Sequence, residues 1–244
     1  MTKRNYIAIA IGCLALQSAI PAAAADEGCC GLRFTPYLWA MGLDGDIKVG
    51  PNKTNFSNDF SDIVDNMDIG GSGLFEYNKD RWVNVLQLDY LQLENKGDTR
   101  VPGVKADLEV DSTLGALATG YRFDISERST VDLLVGVRYA KIGIDIDLQP
   151  GRSLDGDKTV VDGIVMLRPR FAITKYLSFS PTMSVGAGDS DLVWEMAPEF
   201  VYINDCCNVE FRAGYRSLNY QIDEGNKELD ISIAGPMVGV GFAF

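Results

Sequence analysis

Residues 231–244 read ISIAGPMVGVGFAF, and this stretch decides the fold. Every second position is apolar, namely Ala234, Pro236, Val238, Val240, Phe242 and Phe244, and the positions between them are mostly glycine. A strand with one apolar face and one nearly bare face is typical of the closing strand of a transmembrane β-barrel, where lipid lies on one side and a crowded lumen on the other. The alternative is a buried edge strand of a soluble β-sandwich.

The opening of the chain has the pattern of a secretory signal peptide. Lys3 and Arg4 precede an apolar run over residues 6–20, and an alanine-rich stretch follows the run. This run is too short and wrongly flanked for a spanning helix. The sequence therefore predicts a signal peptide over 1–25, removed on export, and a single domain over 26–244.

The charge balance and the lack of histidine limit the classes of function that the protein could have. Lysine and arginine number 22, aspartate and glutamate number 34, and there is no histidine. The acidic balance argues against nucleic acid as a partner. Without histidine the chain lacks the commonest general base and the usual zinc ligand. We predict no enzymatic activity, no cofactor and no metal site. The carboxylates that resemble an acid–base pair are Glu195 with Glu199, or the set Asp59, Asp62 and Asp65.

Ten segments alternate apolar and polar residues and are separated by turn signals. They cover 32–40 (extending towards 49), 67–77, 81–95, 105–124, 130–148, 160–172, 177–187, 192–203, 209–216 and 231–244. Short and longer connections between these segments largely alternate along the chain, as in outer-membrane barrels. We predict an all-β, up-and-down antiparallel transmembrane barrel of about ten strands, with eight to twelve left open. Loops are predicted over 50–66 and 151–158, and a bulge or kink near Gly115.

The face opposite the apolar one is charged. It carries Arg33, Glu76, Asp89, Arg122, Arg138, Asp162, Arg168, Arg170, Glu195, Glu199, Glu210, Arg212 and Arg216. In a soluble sandwich these residues would face water, so the alternation alone fits both folds. In a barrel they predict a paired network inside a narrow lumen, because about eight strands already leave an interior that side chains fill and unpaired buried charges are costly.

One loop has helical spacing. Phe60, Ile63, Val64 and Met67 follow the i, i+3, i+4, i+7 pattern of a short amphipathic helix. Folded into the lumen, this segment is a candidate loop gate.

Four cysteines remain in the predicted mature chain, Cys29, Cys30, Cys206 and Cys207. An even number in an exported protein favours disulfides. One or two bonds between the first pair and the second are one interpretation, and free or heterogeneously oxidised thiols are the other.

Several different short motifs follow one another in a fixed order along nearly the whole mature chain. They are Phe34-Thr35-Pro36-Tyr37-Leu38-Trp39, Phe60-Ser61-Asp62, Arg81-Trp82, Gly136-Val137-Arg138-Tyr139, Val161-Asp162, Ser190-Asp191-Leu192 and Gly214-Tyr215-Arg216. With them the sequence resembles a widespread, mostly uncharacterised family of Gram-negative outer-membrane β-barrel proteins of the porin-like or OmpA-like small-barrel type. The resemblance implies a barrel fold in the bacterial outer membrane, and it implies no catalytic residue.

The favoured function is that of a structural or stabilising barrel with a largely filled lumen. A narrow porin-like channel for small solutes or ions is the alternative, and an outer-membrane enzyme is the least favoured. Expected partners are outer-membrane lipid, lipopolysaccharide with its divalent ions at Asp145, Asp147, Asp155 and Asp157, and the barrel-assembly machinery through the C-terminal strand.

Overall fold

The fold is all-β in a computed structural model that describes residues 31–49, 52–58, 67–98, 105–149, 152–204, 208–224 and 227–244. Its strands are β1 Gly31–Trp39, β2 Gly42–Val49, β3 Asn52–Asn58, β4 Met67–Lys79, β5 Trp82–Asp98, β6 Lys105–Ser126, β7 Ser129–Gln149, β8 Arg152–Ala172, β9 Leu177–Phe179, β10 Thr182–Gly188, β11 Leu192–Ala197, β12 Glu199–Asn204, β13 Val209–Glu224 and β14 Lys227–Ala243. Within these ranges, no helix has the length and apolar character needed to cross a bilayer.

These segments form a closed antiparallel barrel of ten strands, which confirms the predicted fold class. β1 continues into β2, β3 is followed by β4, β9 by β10 and β11 by β12, so each of these pairs supplies one barrel strand. β1 pairs with β4 on one side and with β14 on the other, and this second pairing closes the sheet.

The register shows that the strands are staggered round the barrel. A path along directly paired residues runs round the barrel, starting at Arg33 on β1 and passing through β4, β5, β6, β7, β8, β10, β11, β13 and β14. This path reaches Ile231 on β14 and then Gly45 on β2, which continues β1 in the same barrel strand. The return point lies twelve residues beyond the start. Such a stagger accompanies strands that tilt by roughly 35–45° from the barrel axis.

The pattern of exposure separates the barrel from the sandwich. Apolar side chains on one face of the strands are exposed, including Leu38 at 70% and Val135 at 59%. Charged side chains on the other face are buried, including Glu76 at 3% and Arg216 at 1%. A soluble sandwich would bury its apolar face and expose its charged one. The sheet instead surrounds its charges and presents an apolar belt outwards.

Two predicted loops contain paired strand. β3 lies within the predicted loop 50–66 and pairs with β2, and β8 begins at Arg152, inside the predicted loop 151–158. The polar composition of these stretches predicted loops, but extended hairpins also tolerate polar residues because their backbone groups pair with each other.

The predicted bulge near Gly115 is wrong. Gly115 pairs with Leu88 on β5 and with Tyr139 on β7, and the register is unbroken on both sides of it. Leu114 and Ala116 are buried and face the lumen, so the inner face of β6 is apolar here. When the inner face is apolar, the alternation of apolar and polar residues changes along the sequence as it would at a bulge, although the strand is regular.

Candidate functional site

The first group of lumenal charges, the Glu76 cluster, consists of Arg33, Glu76, Arg168, Arg170, Glu199, Glu210 and Arg212. Glu76 on β4 is its centre. Glu76 Oε1 accepts a hydrogen bond from Arg168 Nη2 at 2.5 Å, and Oε2 accepts one from Arg212 Nη2 at 3.0 Å. Arg33 Nη1 lies 3.7 Å from the same Oε2. One buried carboxylate thus meets guanidinium groups from β8, β13 and β1.

Arg212 extends this cluster to two further carboxylates. Its Nη1 donates to Glu199 Oε1 at 3.1 Å, and its Nε donates to Glu210 Oε1 at 2.6 Å. Glu210 Oε2 also lies 3.4 Å from Arg33 Nε and 3.9 Å from Arg170 Nη2. Positive and negative side chains nearly balance, as buried charges require if they are to remain ionised.

The second group, the Arg216 cluster, consists of Asp89, Arg138, Glu195 and Arg216. Arg216 Nη1 donates to Asp89 Oδ2 at 2.8 Å, and its Nε donates to Glu195 Oε1 at 2.8 Å. Arg138 Nη2 donates to the other oxygen of Glu195 and, at 3.0 Å, to Ser184 Oγ. The two guanidinium groups and two carboxylates of this cluster cancel in charge.

Two aromatic residues of β1 complete the Arg216 cluster. The Tyr37 hydroxyl donates to Asp89 Oδ1 at 2.6 Å. The Trp39 ring lies under the Arg216 guanidinium, with Cζ 4.1 Å from the ring centroid, in a cation–π arrangement. The sequence predicted a role for neither residue. The available signal was parity, because both alternate in step with Arg33 and therefore share its inward face.

Arg122 and Asp162 lie apart from both clusters. Arg122 binds Asp132 through two parallel hydrogen bonds, from Nε at 2.7 Å and from Nη2 at 2.8 Å. Asp162 accepts from the Ser190 backbone N–H at 2.8 Å and from Ser190 Oγ at 2.9 Å. Asp162 therefore holds the connection between β10 and β11, and Arg122 joins neighbouring strands β6 and β7.

Some ion pairs of each cluster cross the interior. Arg168 and Glu76 lie on β8 and β4, with β5, β6 and β7 between them. Arg216 and Asp89 lie on β13 and β5, with β14, β1 and β4 between them. Bonds between non-adjacent strands tie opposite walls of the barrel together. They also occupy the cross-section through which a solute would pass.

Glycines on the inner face of β14 make room for these side chains. A Cβ added to Gly239 would lie 2.8 Å from Tyr37 Cβ, and one added to Gly241 would lie 2.6 Å from Glu210 Cγ. Both distances are shorter than van der Waals contact. The nearly bare face of the closing strand is therefore complementary to the large inward residues of its two neighbours.

A cavity of about 30 Å³ remains between the clusters. Arg168 and Glu199 of the Glu76 cluster line it, as do Glu195 and Arg216 of the Arg216 cluster. Its size suits water rather than a larger solute.

The loop gate and the cysteines lie outside the described part of the chain. Met67 is the first residue of β4, whereas the gate residues Phe60, Ile63 and Val64 belong to the undescribed stretch 59–66. Cys29, Cys30, Cys206 and Cys207 also fall outside the described ranges. The gate and the disulfides remain predictions.

The carboxylates considered for acid–base chemistry serve as ion-pair partners where they are described. Glu195 binds Arg138 and Arg216, and Glu199 binds Arg212. Asp59, Asp62 and Asp65 lie in the undescribed stretch 59–66. Among the described residues, no three histidine, cysteine, aspartate or glutamate side chains are grouped as metal ligands.

Comparison with known proteins identifies the fold. No family model matches the sequence, and no curated protein matches it. The chain is similar to the crystal structure of the outer membrane protease OmpT from Escherichia coli, with a TM-score of 0.61 and 8% sequence identity over 91% of this chain and 99% of OmpT. It also matches Ail, the attachment invasion locus protein of Yersinia pestis, with a TM-score of 0.40, 11% identity, and 88% and 99% coverage. The likeness to OmpT shows that the chain has the fold of an outer-membrane β-barrel.

Proposed function

We propose that the protein is an integral outer-membrane barrel with a structural role, and that its lumen is closed by the two charge clusters. The observation that carries this proposal is the set of ion pairs between opposite walls, namely those of Glu76 with Arg168 and Arg212 and that of Arg216 with Asp89. A guanidinium held on two sides by carboxylates is not free to move aside for a passing ion. The apolar outer belt supports the location in a membrane, because such a surface is unfavourable in water.

Single-channel recording in planar lipid bilayers tests the closed lumen. The wild-type protein is expected to insert without conductance steps. Steps in the wild-type protein would overturn the proposal and favour the narrow porin-like channel. The matched variant is the double change Arg212→Ala, Arg216→Ala, which removes a guanidinium that reaches across the lumen from each cluster and is expected to produce steps. A folded barrel resists unfolding in detergent when the sample is not heated, and this resistance shows whether the variant has folded.

A second candidate function is the binding of lipopolysaccharide through divalent cations. Glu94 on β5, Glu109 on β6, Asp145 on β7 and Asp155 on β8 occupy directly opposed register positions. Like charges directly opposite each other destabilise a sheet. A divalent cation bound along this row of acidic positions would at the same time bind the phosphates of lipopolysaccharide.

Thermal unfolding with magnesium and with a chelator tests this second function. The chelator is expected to lower the midpoint of the wild-type protein and to have less effect on the double variant Asp145→Asn, Asp155→Asn. Asp80→Asn, in the turn between β4 and β5, is the matched control and should respond as the wild-type protein does. An equal midpoint with and without chelator would remove the cation-binding function.

The apolar C-terminal strand suits recognition by the barrel-assembly machinery. Phe242 and Phe244 on its outer face are exposed. Replacing both by serine is expected to reduce the amount of barrel recovered in the outer membrane, while a serine at the inward Ala243 should not. Equal recovery of both variants would contradict this role.

Proteolysis, which is named for OmpT, is not part of the proposal. The chain has no histidine, and its described lumenal glutamates are bound by arginine. A likeness at 8% identity carries the fold and no activity.

A further inference from the structure

Three prolines from neighbouring strands lie side by side in the barrel wall. Pro169 of β8 is opposite Pro181, because Leu167 pairs with Met183 before them and Phe171 with Phe179 after them. In the same way Pro181 is opposite Pro198, between the pairs Thr182 with Ala197 and Phe179 with Phe200. The residues Pro169, Pro181 and Pro198 are called the proline row below. The second and third of them divide β9 from β10 and β11 from β12.

The proline row interrupts the backbone hydrogen bonds of the wall. Proline has no N–H, so the ladder bonds that it would donate cannot form, and proline is consequently rare inside sheets. In hydrocarbon each unpaired backbone group costs several kcal/mol. The outer side chains beside the row, Leu167, Phe171 and Phe200, are exposed and apolar, so the row lies within the membrane-facing belt.

The cavity between the two charge clusters lies directly behind this row. Its lining includes the sequence neighbours of all three prolines: Arg168 beside Pro169, Thr182 beside Pro181, and Ala197 and Glu199 on either side of Pro198. The interruption of the wall and the internal space therefore coincide.

Two buried polar atoms among the cavity-lining residues have no hydrogen-bond partner within the described part of the chain. They are Arg168 Nη1, a donor, and Glu199 Oε2, an acceptor. The other ends of both groups are bound, since Arg168 Nη2 donates to Glu76 and Glu199 Oε1 accepts from Arg212. Both side chains are more than nine-tenths buried. A buried charged group that is left partly unpaired destabilises the fold.

We propose that this cavity is a binding site for water, which completes the hydrogen bonds of Arg168 and Glu199 in the Glu76 cluster behind the proline row. A volume of about 30 Å³ accepts about two water molecules. The site offers a free donor and a free acceptor, and water satisfies both. The charged side chains that line it are Arg168, Arg216, Glu195 and Glu199, which cancel in charge, so neither a cation nor an anion is favoured by the field.

X-ray hydroxyl-radical labelling of the folded protein in detergent tests the water site, because radicals generated from bound water oxidise adjacent methionines. Met166 lines the cavity and is only 1% exposed. Met41 is 8% exposed and does not line the cavity. We expect Met166 to be oxidised severalfold faster than Met41, although it is less accessible from outside. Equal or slower oxidation of Met166 would overturn the proposal.

Ala197→Val provides a second measurement, since two methyl groups added to this lining residue would displace the water. Labelling of Met166 in the variant is expected to fall to the level of Met41. Unchanged labelling of Met166 would mean that its oxidant comes from elsewhere and would also overturn the proposal. Crystals soaked in bromide or rubidium provide a third test. An anomalous peak in the cavity would show an ion in place of water and would overturn the proposal.

Discussion

Gly241 and Glu210 face each other on paired strands so closely that a Cβ on Gly241 would lie 2.6 Å from Glu210 Cγ. Glu210 is 2% exposed and binds Arg212 on its own strand. The missing side chain of the glycine is therefore the space that the glutamate occupies. This relationship connects the sequence pattern of the closing strand to the charge cluster in the lumen.

Gly241→Ala is expected to destabilise the barrel by about 1–3 kcal/mol, the usual cost of overpacking. The new methyl group would push Glu210 away from Arg212. Urea unfolding of protein refolded into lipid vesicles measures the loss. Gly71→Ala is the matched control, because nothing lies within 4 Å of a Cβ at Gly71. Equal stability of the two variants would contradict the packing described for β14.

Arg216→Met should destabilise the protein by about 3–5 kcal/mol, because it leaves Asp89 and Glu195 buried without their shared cation. The control is Arg81→Met. Arg81 Nη2 lies 2.8 Å from Asp124 Oδ2, but these two side chains are 54% and 56% exposed. An exposed pair contributes about 0–1 kcal/mol. Comparable losses in the two variants, measured by the same vesicle unfolding, would show that Arg216 is not held as described.

Val135→Arg tests which side of the sheet faces lipid. Val135 is 59% exposed on the outer face of β7. Arginine at the lipid-facing midplane of a barrel costs about 2–4 kcal/mol, whereas a charge at an exposed position in water is usually within about 0.5 kcal/mol of neutral. Val135→Ala is the control for lost apolar area alone. No difference between arginine and alanine, measured in vesicles, would place this face in water.

The cysteines give a chemical prediction. If Cys29 and Cys30 are bonded to Cys206 and Cys207, the intact mass of the unreduced mature protein should be lower than that of the reduced protein by the mass of four hydrogens. Alkylation without reductant should then modify none of the four. Modification of all four under those conditions would refute the disulfides.

Alternation predicted the strands and which residues share a face, because a strand has a period of two and each residue therefore has a definite face. On β7 the sequence assigned Val135 outwards and Arg138 inwards, and the structure places them so. It was less reliable where both faces are apolar, as around Leu114 and Gly115. Polar hairpins such as the start of β8 were also taken for loops, since composition reports exposure to water and not backbone pairing.

Partners inside the barrel were beyond the reach of the sequence. Arg122 and Arg216 both lie on the inward face of their strands, so alternation treats them alike. Arg122 nevertheless binds Asp132 on the adjacent strand, whereas Arg216 reaches Asp89 across the lumen. The proline row could not be predicted either, because Pro169, Pro181 and Pro198 become neighbours only through the register of five strand segments.

By itself the sequence determined that alternate residues divide between an apolar and a charged face, since that division depends only on the geometry of an extended chain. The tertiary structure alone decided which of these charges meet across the barrel and which bind only a neighbouring strand. Both outcomes depend on closure and stagger of the ten strands, which bring residues far apart in sequence to one level of the barrel.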